Sequence, residues 1–147
     1  MKTNAPQWNR PVAYVAWAMF VTSFFLPSYA EGYGYACALQ QTLFWPDAIH
    51  GNWAAINYEL LTFSNLLMLV SPLLMFQFHR SIRQTKWLCW LTFTALVLVW
   101  SFVIQLLSHQ DTKDLKIGCY VWSLSFALLF YSTISKSAAM RRILREA

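Results

Sequence analysis

Three histidines, three cysteines and six carboxylates are the side chains of this chain that can serve as bases, nucleophiles or metal ligands. Their order works against most of that chemistry. Cys37, Cys89 and Cys119 are spread singly, so no Cys-x-x-Cys pair exists for redox exchange or zinc binding. His50 and His109 fall in connections between apolar stretches and His79 at the end of one, whereas a bis-histidine haem needs rings facing each other inside a bundle. Asp47, His50 and His109 share one expected side of the molecule but match no metal-ligand spacing. No Ser-His-Asp order, glycine-rich phosphate loop or paired-carboxylate signature is present. The expectation is no catalytic residue, no metal and no cofactor, with the balance against an enzyme.

Those residues are set among elements of an unusual kind. Of 147 residues, 58% are hydrophobic, 18% aromatic and only 12% charged, with a mean hydropathy of +0.40. A soluble domain carries about a quarter charged residues. The net charge of +5 therefore does not indicate nucleic acid, and a disordered chain is excluded by the same arithmetic. Four apolar stretches, at 12–29, 59–78, 87–107 and 117–135, each approach the roughly 20 residues a membrane-crossing helix needs. They fill most of the length, so residues 1–147 are read as a single membrane domain.

Basic residues set the orientation. Lys2, Arg10, Arg80, Arg83, Lys86, Lys136, Arg141, Arg142 and Arg145 fall on one side of the four spans, against Lys113 and Lys116 on the other. The predicted fold is an all-α integral membrane protein: a bundle of four transmembrane helices with both termini cytoplasmic. A periplasmic interfacial segment, residues 30–58, joins helices one and two. Its stretch from Ala36 to Trp45 reads as a short helix ended by Pro46 and lying on the membrane surface. Tyr29, Tyr33, Tyr35, Trp45, Trp53, Tyr58, Tyr120 and Trp122 suit the outer interface, and Trp8, Trp87, Trp90 and Tyr131 the inner one. Residues 1–30 also have some features of a secretory signal, with Pro27-Ser28-Tyr29-Ala30 at a cleavage-like position. Their apolar run is longer and more aromatic than most signal cores, which favours a retained span.

Within the spans, no acid, base or histidine falls near a midplane, an absence unlike proton-coupled carriers or voltage sensors. Glu59 is expected at the outer start of span two, where its carboxylate favours the positive end of the helix dipole. Small and neutral polar residues are expected to pack helices together: Ser64, Asn65 and Ser71 on span two, Thr94 and Ser101 on span three, Ser125 and Ser132 on span four. Asn65 needs a partner most, because an unpaired amide is costly in hydrocarbon. Pro72 is expected to free a carbonyl that Ser71 or a neighbouring helix satisfies. Gln40, Gln41, Asp47, His50, Glu59 and Gln105 form a candidate polar lining at the outer mouth. Cys37 and Cys119 share the oxidising side, and a disulfide between them is possible on that ground; free thiols are the alternative. The basic C-terminal stretch from Lys136 continues the fourth helix into the cytosol.

The run Phe24-Phe-Leu-Pro27, a tryptophan-bearing outer loop, and Gly118-Cys-Tyr-Val-Trp-Ser123 opening span four resemble uncharacterised bacterial four-span inner-membrane proteins. That resemblance implies the fold and the bacterial inner membrane, and no activity. The expected role is non-enzymatic binding of another membrane component, as accessory subunit, oligomer or toxin-immunity protein. The expected partners are membrane lipids and another membrane protein or a second copy, with no nucleic acid. The alternative is a carrier or enzyme for a lipid or other hydrophobic substrate, with its site at the outer mouth.

Overall fold

The computed structural model describes residues 10–43, 50, 53–77, 82–108 and 115–146. In chain order these form α1 (Arg10–Ser23), β1 (Pro27–Tyr29), β2 (Gly32–Tyr33), α2 (Gly34–Thr42), α3 (Trp53–Gln77), α4 (Ile82–Ser108) and α5 (Ile117–Glu146). The architecture is helical apart from the small antiparallel hairpin β1–β2. Among the described residues, two helices contain segments long and apolar enough to cross a membrane, Arg83–Ser108 and Ile117–Arg141.

The first helix stops earlier than the apolar run predicts. It ends at Ser23, and residues 24–33 turn into the hairpin. Tight bonds from Phe24 N to Val21 O, Phe25 N to Thr22 O and Leu26 N to Ser23 O close the last turn, and Pro27 lacks the N–H to continue it. Hydropathy alone carries no trace of that stop, because Phe24, Phe25 and Leu26 are as apolar as the helix before them. The other helices are longer than their apolar cores. Helix α3 begins six residues before Glu59, and α5 runs on through the basic tail.

The helices pack antiparallel in three pairs. Phe20 of α1 meets Phe126 of α5 at 5.9 Å, while residues 26–28 beyond α1 lie against Gly118 near the start of α5. Phe93 of α4 meets Phe130 of α5 at 5.4 Å, and Tyr58 of α3 meets Phe102 of α4 at 6.0 Å. One core joins them: Ala13, Ala16 and Phe20 from α1, Leu61 and Met68 from α3, Leu88, Ala95 and Val99 from α4, Phe126 and Leu129 from α5.

Helix α3 runs unbroken through Pro72. The carbonyl that Pro72 leaves without its usual partner is that of Met68, four residues back, and Ser71 Oγ donates to it at 2.8 Å. Asn65 Oδ1 accepts from Trp122 Nε1 of α5 at 2.8 Å, so the amide expected to need a partner has one on another helix.

The packing face of α4 differs from the expectation. Its buried positions are Thr85, Leu88, Thr92, Ala95, Val99 and Val103, at helical spacing, while Thr94, Ser101 and Gln105 are exposed. Small residues on that line let α5 approach closely, which decides the face in a helix that is apolar all round. A polar seam between α4 and α5 follows. Thr92 Oγ1 and Thr133 Oγ1 share a hydrogen at 3.0 Å, Cys89 Sγ donates to Thr133 O at 3.3 Å, and Thr85 Oγ1 donates to Met140 Sδ at 3.2 Å. Ser64, Ser71, Ser125 and Ser132 are buried. The hydroxyls of Ser64, Ser71 and Ser125 donate within their own helices rather than across.

Two ionisable groups are buried that the sequence reading put at the interfaces. Glu59 is 8% exposed and lies in the second turn of α3, so it caps nothing at the helix start. Lys136 is 3% exposed and stands five residues before the end of the apolar segment of α5.

Candidate functional site

Backbone hydrogen bonds hold the hairpin and α2 against the ends of α1 and α5. Gly34 N donates to Leu26 O at 3.0 Å and Tyr35 N to Phe24 O at 2.9 Å. On the other side, Lys116 N donates to Ser28 O at 3.0 Å, and Tyr29 bridges Leu115. Two glycines permit this closeness. A Cβ on Gly34 would overlap Ser23 O and lie 2.9 Å from Phe24 Cα; one on Gly118 would overlap Ser28 Oγ and lie 2.8 Å from Pro27 O. Both positions exclude any larger residue without movement of backbone. Ala30, in the hairpin turn, is left-handed with φ 48°.

Beneath that cover is a cavity of about 320 Å³. Its lining comes from every neighbouring element: Ser23 at the end of α1 and Phe24 after it, Ser28 and Tyr29 of β1, and Gly34, Cys37, Ala38 and Gln40 of α2. Tyr58 and Asn65 of α3, Phe102 and Leu106 of α4, and Cys119 and Trp122 of α5 complete it. Apolar wall predominates, with a few polar atoms converging on it. The hydroxyl protons of Ser23 and Ser28 are committed to Phe20 O and Leu26 O, which leaves both oxygens able to accept. Burial pushes the Cys37 thiol above its ordinary value, partly offset by backbone hydrogen bonds at Cys37 itself and at Tyr29. No Asp, Glu, Lys, Arg or His is among the described lining residues.

The six residues expected at the outer mouth are scattered. Gln40 lines the cavity. Glu59 is buried on α3 outside that lining, with Oε1 making no hydrogen bond among the described residues. Gln105 and His50 are exposed. The side chain of Gln41, and all of Asp47, lie outside the described residues, as do Lys113 and His109. Cys37 and Cys119 are brought to one cavity and stand there as free thiols; Cys89 is apart, in the α4–α5 seam. Sequence reasoning missed Ser23, Ser28 and Trp122 as site residues. Their signal is the Phe24–Pro27 turn and Gly118, which together fold one strand over the end of the helices. Among the described residues no group of three metal-ligating side chains occurs. No protein family, curated protein or solved structure matches the chain.

Proposed function

We propose that this chain is a multi-pass protein of the bacterial inner membrane that acts by binding a small neutral amphiphile of the membrane in the cavity beneath α2. In this reading α1, α3, α4 and α5 form a bundle that crosses the lipid four times. Both termini are cytoplasmic, and the hairpin and α2 lie at the periplasmic face.

The surface supports the membrane part. Phe63 and Leu73 on α3, Trp87, Trp90 and Ile104 on α4, and Ile117 and Tyr131 on α5 are each more than half exposed. Water tolerates no such continuous apolar surface, and lipid favours it. Only 28% and 44% of the residues in the two most apolar windows are buried, unlike a core helix of a soluble domain. At 1.5 Å per residue α3, α4 and α5 span about 37, 40 and 45 Å, enough for a hydrocarbon core of about 30 Å. Helix α1, at about 21 Å, needs residues beyond Ser23 to complete its crossing. Their backbone is acceptable at that depth because the hairpin bonds to α2 and α5. Exposed Arg83, Lys86 and Arg141 fall at the end opposite the hairpin, as the charge rule requires of the cytoplasmic side.

The cavity carries the binding part. Its volume stands at the small end of ligand sites, which run from about 300 Å³. The Ser23 and Ser28 oxygens can accept, and the Gln40 amide can both donate and accept, within an apolar wall. That combination favours a neutral molecule with an apolar body and a hydroxyl or amide donor, since a charge would find no counter-ion there. Capture of another protein's helix has less support, because the polar thread it would need, Ser64, Asn65, Ser71, Ser125 and Ser132, is turned inward.

The test is native mass spectrometry and organic extraction of the protein purified in mild detergent, beside Ala38→Phe. Ala38 lines the cavity from α2, so a ring there fills the space from the edge of the fold. A bound small amphiphile is expected in the wild type and absent from Ala38→Phe at unchanged helicity. Equal occupancy in both, or none in either, would overturn the reading.

A further inference from the structure

Cys37 and Cys119 belong to different helices, α2 and α5, yet face one cavity. A single strand connects them. The Cys37 thiol is within hydrogen-bonding range of the Tyr29 backbone, and its sulfur lies 3.6 Å from where a Cβ on Gly32 would stand. The neighbours of Cys119 press on the same hairpin. Lys116 N bonds Ser28 O, and Gly118 abuts Ser28 and Pro27. Both cysteines therefore border the same hairpin and the same cavity, although 81 residues separate them in the chain (38 to 118). The remaining thiol, Cys89, is on α4 with its hydrogen donated to Thr133 O.

We propose that Cys37 and Cys119 are a dithiol site that closes to an intramolecular disulfide, fastening α2 to α5 across the cavity. The oxidant is a disulfide of a small thiol or of a thiol–disulfide oxidoreductase. Cys37 is half-buried whereas Cys119 is buried, so Cys37 is the attacking group. Its thiolate displaces one thiolate from the oxidant and forms a mixed disulfide. The Cys119 thiolate then attacks the Cys37 sulfur and releases the second. Two protein thiols lose two protons and two electrons, and the oxidant is reduced to two thiols. In the cell this rests on the periplasmic placement of α2 proposed above; in solution the chemistry is independent of it, and of whether the cavity holds a ligand.

The experiment uses the full-length protein in detergent with glutathione disulfide at mildly alkaline pH. Remaining thiols are then capped with maleimide and counted by intact mass. The reduced protein takes three caps. After oxidation the wild type is expected to take one, on Cys89, with the loss of two hydrogens. Cys119→Ser is expected to keep glutathione on Cys37 as the trapped intermediate, and Cys89→Ser to close normally. Three caps on the oxidised wild type, a bond that requires Cys89, or disulfides only between molecules would overturn the proposal. Any of these would leave the amphiphile test unaffected, so the two failures are distinguishable.

Discussion

The Asn65–Trp122 hydrogen bond should carry a measurable share of the contact between α3 and α5. Trp122→Phe removes the indole N–H that Asn65 Oδ1 accepts at 2.8 Å. It keeps an aromatic ring beside Phe126, whose centroid is 5.7 Å away. Asn65 is only 9% exposed, so water could reach the stranded oxygen only through the cavity that Asn65 lines. Leaving a buried acceptor without that bond costs about 1–3 kcal/mol, and Trp122→Phe is expected to destabilise by that amount. Asn65→Leu strands the indole instead and should cost a similar amount. The double variant has neither group left to satisfy and should lose less than the sum. The coupling expected is about 0.6–2 kcal/mol, the range for side-chain hydrogen bonds between helices in lipid. Reversible unfolding in mixed micelles of mild detergent and dodecyl sulfate, followed by far-ultraviolet circular dichroism, measures all four proteins. The cycle cancels the volume lost on replacing indole by phenyl. Additivity within about 0.5 kcal/mol would refute the reasoning.

Two further outcomes follow from the cover of the cavity. Gly118→Ala should destabilise by about 1–3 kcal/mol, because the added methyl meets Pro27 O and Ser28 rather than open space. Ala30→Gly, which relieves the left-handed residue, should stabilise by a few tenths to about 1 kcal/mol in the same unfolding assay. Alkylation of Cys37 should be slow at neutral pH and accelerate with an inflection above 9.0, its ordinary value. The sign follows from burial: the folded state favours the neutral thiol, so the reactive thiolate appears later in the fold than in the unfolded chain. Stability from this group is complete below the unfolded value and is lost as pH rises through the folded one. Rate against pH for Cys89→Ser/Cys119→Ser, folded and unfolded, measures it, and coincident profiles would contradict the burial argument.

Much of this was legible in the sequence where a local cause dictates a local effect. Pro72 frees the Met68 carbonyl and Ser71 takes it, because the two residues are adjacent and the missing bond is always four residues back. Asn65 demanded a partner on another helix for reasons of solvation, though only the packing could name Trp122. Facing was not legible. In a helix apolar on all sides, Thr94, Ser101 and Gln105 look as good a seam as Thr85, Thr92 and Ala95; close approach of α5 selects between them. The hairpin was hidden because Phe24, Phe25 and Leu26 satisfy hydropathy equally well as helix or as turn. Glu59 was misplaced because the apolar run starts there, whereas the helix starts at Trp53.

In the proposed topology the helices cross the lipid four times with the hairpin outside. Single cysteines at exposed Glu31, Gln84, Ser108 and Arg141, in a chain whose own three cysteines are serine, test it with a membrane-impermeant maleimide on intact spheroplasts. The account expects Glu31→Cys and Ser108→Cys to label at once, and Gln84→Cys and Arg141→Cys only after the membrane is opened. Labelling of all four from one side, or of Gln84→Cys or Arg141→Cys in sealed spheroplasts, would contradict it.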